Sequence, residues 1–331
     1  MEIVPGLVLR SGTVELFAVT AFTAAILMGM GLRKGQGPDS LATQYYAGPG
    51  PMSTPGAFSP LLDGLPGDVP SLVRAVQGVI TYDVVFPEFY GFRLPEGRLK
   101  EIHLRRVERM LERIKVLRDD PLLVARSPDQ RVLGRCRHYT LLLVTLLRTK
   151  GIPARARVGF GRYFDPGSFE DHWVCEYWDE NHHRWTLVDP QMDELWKERL
   201  HLRIDAMDVP RDQFVVAAQA WELCRSGKVN PSKFGISFAD LHGMWFVANN
   251  LLRDLASLNK MEMLPWDSWG GHVRPDEQVS GSRLAFLDRI ASLTRHPDNS
   301  FEELRSAYDT DERCRVPSTV FNGILDRLEE V

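Results

Sequence analysis

The chain has 331 residues, 44% of them hydrophobic, enough to bury a substantial core as one large domain or two modest ones. A formal net charge of −4 offers no general attraction for nucleic acid or for an anionic membrane surface. Four cysteines, Cys136, Cys175, Cys224 and Cys314, show no C-x-x-C spacing, which points to reduced thiols in a cytosol-like compartment, although the count also allows two disulfides.

Residues 16–32, LFAVTAFTAAILMGMGL, are 17 consecutive uncharged residues between Glu15 and Arg33-Lys34. A spanning helix needs about 20 predominantly apolar residues, and this run includes two threonines and two glycines, so it is borderline. Glu15 interrupts the approach a secretory signal would have, and no A-x-A-like cleavage site follows. A core helix, a non-native upstream extension and a membrane span are the readings it allows. A span would leave the rest of the chain cytoplasmic by the position of Arg33 and Lys34. Residues 1–40 are therefore set apart from the rest, and the expected location is cytoplasmic.

A Gly-, Pro- and Ser-rich connector follows, and then helical patterns at 70–81 and 98–118. The second is charged on its outer side through Arg105, Arg106, Glu108, Arg109, Glu112 and Arg113, the pattern of a solvated helix face.

Next comes VLGRCRHYTLLLVTLLRTKGIP. Leu141, Leu142, Val144, Thr145 and Leu146 recur at helical spacing, and Gly151 with Pro153 supplies a stop, so Cys136 is predicted in the first turn of a buried helix. Unpaired amides and the positive end of the helix dipole gather there and favour thiolate, with Arg135 and Arg137 adding positive potential.

DHWVCEYWDENHHRWTLVDP reads as two strand-like runs, 172–178 and 184–189, around a polar turn. A four-residue loop at 179–182 sets 178 opposite 183 and, carried outward, His172 opposite Asp189. Directly opposed side chains lie about 5 Å apart at Cβ, within reach of a carboxylate–imidazole hydrogen bond. Cys175 falls on the other face and is expected to pack. The Cys and His residues of this stretch fit no paired zinc motif, so no metal is expected.

Beyond Asp189 the strand signal fades, and 210–226, 238–260, 283–294, 300–308 and 316–330 read as helices with a Gly-rich break near 270–282. ANNLLRDLASLNKMEMLPWDSWGG mixes amides, charges and tryptophans, and suits either a pocket wall reading a polar substrate or a domain interface.

Gly134-Arg135-Cys136, Gly151-Ile152-Pro153-Ala154-Arg155, His172-Trp173 and Trp185-Thr186-Leu187-Val188-Asp189-Pro190 resemble, in order and spacing, the core of the transglutaminase-like superfamily. PARARVGFGRYFDPGSFEDHWVCEYWD and LNKMEMLPWDSWG are similar to a bacterial subgroup with a helical C-terminal extension. The resemblance implies an α+β, papain-like fold: a nucleophile helix on a small antiparallel sheet, within flanking helices. It implies Cys136 as nucleophile, His172 as base and Asp189 as orienting acid. No calcium-loop pattern is present.

The expected organisation is an N-terminal segment over 1–40, a catalytic core over 41–205 and a mostly helical region over 206–331. The expected chemistry is a thioester acyl-enzyme at Cys136, formed from a peptide, protein or small-molecule amide or ester and resolved by water or by an amine, without a cofactor. The alternative is a non-catalytic binding module of the same fold. The Cys136 amide is the natural first oxyanion donor, and Tyr82 or Gln77 the second. Trp173, Asn259, Lys260 and Trp266 are the remaining candidates for substrate contact. Oligomeric state is not encoded in any of these patterns.

Overall fold

The computed structural model describes residues 40–331 apart from positions 92, 95, 96, 166 and 276. The apolar run at 16–32 lies outside the described residues. No helix among the described residues is long and apolar enough to cross a membrane.

The architecture is α+β. Ahead of the sheet come α1 (Leu41–Ala47), α2 (Val69–Val79), the short strand β1 (Ile80–Tyr82), α3 (Phe86–Tyr90) and α4 (Val107–Leu117). Strand β2 (Val132–Gly134) runs into α5 (Cys136–Thr149). The sheet is then built by β3 (Ala154–Gly161), β4 (Phe169–Asp179) and β5 (Arg184–Val188). Helix α6 (Glu194–Arg199), β6 (Phe214–Val216), α7 (Ala217–Arg225), β7 (Phe234–Ile236) and β8 (Leu241–His242) lead to α8 (Met244–Leu258). The chain closes with β9 (Asp267–Ser268), α9 (Gly281–Arg295), α10 (Phe301–Thr310), β10 (Thr319–Asn322) and β11 (Arg327–Glu330).

The main sheet runs β6-β3-β4-β7-β8, with β5 also on β4. One edge of β4 is shared by two partners. Residues 169–170 pair with β7 in parallel and residues 175–179 pair with β5 in antiparallel fashion, leaving 171–174 between them. Every residue of β3 is buried, because α5 packs on β3 and β4 while α8 packs on β3. That double cover explains a strand buried at every position rather than at alternate ones. Its two arginines are balanced by carboxylates. Arg155 pairs with Glu176 at 2.6 Å and Asp298 at 2.6 Å, and Arg157 pairs with Asp254 at 2.9 Å and Glu176 at 3.3 Å.

One hydrophobic cluster runs from Ala42 to Val320 and includes residues on both sides of position 205. A smaller one, Met192, Trp196 and Ala206, has Tyr82, Phe89, Tyr163 and Phe164 packed against it.

The helical reading of 316–330 is overturned: this segment is the β10–β11 hairpin, paired from Thr319–Glu330 to Asn322–Arg327. Asn322 caps the turn by accepting from the Ile324 and Leu325 amides at 3.1 Å each, and Asp326 takes a positive φ. Val320 and Asn322 are buried while Thr319 and Phe321 are not, a period of two. The segments read as continuous helices at 98–118, 210–226 and 238–260 are also broken. They contain a 3-10 turn over Arg98–His103, strand β6 and strand β8 respectively.

Candidate active site

Helix α5 begins at Cys136. Its start is fixed by a buried imidazole: the Arg135 amide donates to His138 Nδ1 at 3.1 Å. Burial first, and then Arg137 and Arg135, hold the His138 pKa well below the ordinary histidine range, so the ring is neutral and able to accept. At the other end Gly151 adopts φ 72°, a left-handed stop that residues with a Cβ resist.

The two flanking arginines do not act on the thiol as free cations. Arg135 is bound bidentately by Asp83 at 3.0 and 2.9 Å. Arg137 is fully buried and donates to the carbonyls of Glu262, Leu104 and Arg105.

His172 sits on the β4 edge between the β7 and β5 pairings. The β4–β5 register sets Cys175 opposite Val188 and Trp178 opposite Trp185, with residues 180–183 as the turn. The expected register is therefore corrected by two positions: continued outward, 172 would face 191 and not 189. A shift of two keeps the face, whereas a shift of one would have reversed it. Asp189 reaches His172 as a diagonal neighbour just past the end of β5, where its amide has turned to donate to the Ala206 carbonyl at 2.8 Å. The His172 Nε2 to Asp189 Oδ2 distance is 2.8 Å. Asp189 also accepts from the Tyr163 hydroxyl at 2.6 Å and from the Gln191 amide at 3.1 Å.

Cys136 neighbours the His172 ring closely enough to act on its titration. With Nε2 turned to Asp189, Nδ1 is the nitrogen left for sulfur. Burial opposes an imidazolium at His172, but the Asp189 charge and hydrogen bond, with the Cys136 contact, outweigh it and push the pKa up to about 10. An imidazole held by a carboxylate on one side and touching a thiol on the other can take the proton from sulfur.

Cys136 and His172 open into a cavity of about 880 Å³. One wall comes from Tyr82, Val85, Phe164, Gln191 and Trp196. Beyond position 205 the lining comes from Phe238, Trp245, Phe246, Asn249, Arg253, Trp266, Trp269 and His272.

Of the residues named from sequence for substrate contact, Tyr82 and Trp266 line this cavity. The parallel pairing of β1 with β2 sets Tyr82 beside Gly134, two residues before Cys136. Burial, and then the Cys136 charge, hold the Tyr82 phenol protonated well above its ordinary pKa. Gln77, Trp173, Asn259 and Lys260 are not part of the lining. Gln77 lies within α2, separated from Tyr82 by the turn of chain into β1. Trp173 alternates to the other face of β4 from His172 and is wholly buried. Asn259 accepts from Arg305 at 2.5 Å, and Lys260 lies over the Tyr45 ring at 3.9 Å, so both belong to the contact between α1 and α10.

Tyr163 and Gln191 carry no sequence signal that marks them, whereas Arg253 lies in the stretch of amides, charges and tryptophans that suits a pocket wall or a domain interface. Tyr163 reaches Asp189 only because β3 is followed by a tight bend, and Arg253 reaches the cavity only through the packing of α8. His182, exposed, binds Asp179 at 2.7 Å, and among the described residues no three His, Cys, Asp or Glu side chains converge as metal ligands.

Residues 106–190 match the family model of the transglutaminase-like superfamily (Transglut_core). No curated protein matches the chain significantly. The solved structure of a "Putative Cysteine Protease from Cytophaga hutchinsonii" aligns over 54% of this chain and 46% of its own, with 15% identity and a TM-score of 0.31. The chain thus spans less than half of that protein's length. The matched segment holds Cys136 at a helix start, His172 on the adjoining sheet and Asp189 just past the end of β5, so residues 106–190 carry the core of the transglutaminase-like superfamily.

Proposed function

We propose that the protein is a cysteine enzyme that forms a thioester at Cys136 and passes the acyl group to water or to an amine. The observation that carries this reading is the His172 ring, held by Asp189 at 2.8 Å and neighbouring Cys136 in the lining of one cavity.

His172 takes the thiol proton as sulfur attacks the carbonyl carbon of an amide or ester. The developing oxyanion is met by the first-turn amide of α5, which has no intrahelical acceptor, and by the Tyr82 hydroxyl. The imidazolium then returns its proton to the departing amine or alcohol as the C–N or C–O bond breaks, and the acyl group stays on sulfur. Water or an amine, deprotonated by His172, completes the cycle. Asp189 holds the ring and stabilises its cation, and Tyr163 and the Gln191 amide hold Asp189.

Intact-mass spectrometry after incubation with amide and ester donors tests the reading. The expected result is an acyl adduct on the wild type, hastened to release by added amine if transfer dominates over hydrolysis, and none on Cys136→Ala. Turnover that survives in Cys136→Ala would remove the thiol mechanism, and a wild type that gives neither adduct nor turnover with any donor would leave the binding-module alternative.

A further inference from the structure

Arg253 lies on α8, is 6% exposed, and lines the same cavity as Cys136. Its surroundings differ from those of most other buried arginines; Arg126, also without an ion pair among the described residues, gives its Nη2 to the Arg118 and Asp120 carbonyls and does not line the cavity. Arg98, Arg105, Arg148, Arg155 and Arg157 each form an ion pair with at least one carboxylate, and Arg137 is wrapped by three backbone carbonyls. Arg253 has no ion pair among the described residues. Its Nη1 donates to the neutral Asn250 Oδ1 at 3.1 Å, its Nη2 makes a long 3.4 Å contact to the Asp267 carbonyl, and its Nε has no partner. The nearest acid, Asp171, is spent on Asn250 Nδ2 at 2.7 Å and touches Arg253 only through that amide. Burial lowers the guanidinium pKa to about 10 while Asp171 and Asp267 pull it upward, so the group is still a cation at neutral pH.

A buried cation without a carboxylate is costly, because the water it gives up is not replaced by an opposite charge. Two further polar atoms of the same lining are buried and unpartnered, Trp266 Nε1 and His272 Nε2. An indole N–H can only donate. The unpartnered Arg253 Nε, Trp266 Nε1 and His272 Nε2 belong to one cavity, which Trp245, Phe246 and Trp269 also line and whose carboxylates Glu170 and Asp171 are committed to Ser237 and Asn250; a ligand with an apolar body and an anionic end would complete them. The volume, about 880 Å³, is that of a small-molecule site.

We propose that Arg253 is the carboxylate anchor of the cavity, and that the acyl donor is a small molecule with an apolar body and a free carboxylate. The word donor rests on the acyl-transfer reading above; the anchor does not.

The test is calorimetric titration of the full-length protein, carried in a Cys136→Ala background so that no chemistry intervenes. The probes are 4-phenylbutyrate and its neutral isostere 4-phenylbutyramide. The carboxylate is expected to bind at least tenfold more tightly than the amide, and Arg253→Met is expected to erase that preference while leaving the amide's affinity within about twofold. Equal affinity for the two probes, no detectable binding of the carboxylate, or a preference that persists in a folded Arg253→Met protein would each overturn the proposal. If Arg253→Met does not fold, the probe comparison in the parent protein still decides. Arg253-dependent carboxylate binding with no acyl adduct from any donor would refute the enzyme reading and leave the anchor standing.

Discussion

At the scale of single residues, the feature with most consequence is that Asp189 is held from three sides, by His172, Tyr163 and Gln191. Asp189→Asn should keep the fold and lower the rate of acyl-enzyme formation by about 10²–10⁴, because an amide can hold the imidazole in the wrong tautomer and cannot stabilise its cation. Tyr163→Phe removes one of three hydrogen bonds and should cost only about tenfold, with the donor's KM unchanged. Single-turnover kinetics on both variants would separate the two. The thiols should also differ in reactivity. Burial pushes Cys175 far above its ordinary pKa and carries Cys224 and Cys314 up to about 12, whereas Cys136 touches a protonatable imidazole and opens to the cavity. Iodoacetamide near neutral pH should therefore label Cys136 first, and peptide mapping that finds all four labelled at one rate in folded protein would contradict this. His172 has a folded pKa raised to about 10 against about 6.5 unfolded, so its contribution is full below about 6.5 and fades as pH rises toward 10. The stability difference between wild type and His172→Ala, measured by denaturant midpoints, should narrow over that window.

Among the elements, β3 and β4 set the site, and their packing explains what the sequence disclosed and what it hid. The start of α5 at Cys136 was legible because an apolar helical repeat, a glycine-proline stop and a polar turn are local signals. The pairing of His172 with Asp189 was legible for a subtler reason: the expected hairpin register was wrong by two, and a strand's period of two left the face unchanged. The hairpin at 319–330 was missed because Val320, Ile324 and Leu328 imitate helical spacing while the informative signal, Asn322-Gly323, occupies two residues. Tyr163 belongs to a contact between distant segments and has no local signature, and the mixed stretch that holds Arg253 marks a wall without telling pocket from interface. Gly159, opposite His172 on β3, marks a tight approach, since a Cβ there would lie 2.3 Å from the Val215 carbonyl oxygen. Gly159→Ala should force β6 away and disturb Phe214, whose ring lies 6.5 Å from His172, so both melting temperature and rate should fall together. Glu176, beneath the two β3 arginines, has its pKa held far down: burial opposes this, and Arg155, Arg211 and Arg157 overcome it. A depressed carboxylate stabilises the fold above its unfolded pKa of about 4.3 and loses that contribution as pH falls below it. Glu176→Gln should cost about 3–5 kcal/mol at neutral pH and flatten the acid limb of the stability profile, as followed by urea unfolding between pH 3 and 7.

For the whole molecule, the C-terminal half is a wall of the site as well as a neighbour of it. Asp254 on α8 and Asp298 after α9 neutralise the arginines of β3, and Asp267 with Glu329 holds Arg105 ahead of α4. Each of these partners lies beyond position 205, and each would leave a buried or half-buried cation behind if the two halves separated. The hydrophobic cluster crosses the same boundary through Phe160 against Phe234 and Phe246. The halves are therefore expected to unfold together. In a urea titration, tryptophan fluorescence, which samples Trp173, Trp178, Trp185 and Trp196 in the core segment and Trp221, Trp245, Trp266 and Trp269 beyond it, should give the same midpoint as far-UV circular dichroism. Cys136 alkylation measured along that titration should rise only at the common midpoint, with Asp254→Asn moving all three readouts to lower urea by the same amount. An earlier fluorescence transition, or exposure of other thiols before secondary structure is lost, would show that residues 206–331 detach first. The cavity wall bearing Arg253 would then be a separable cover over Cys136 and His172 rather than part of one cooperative fold.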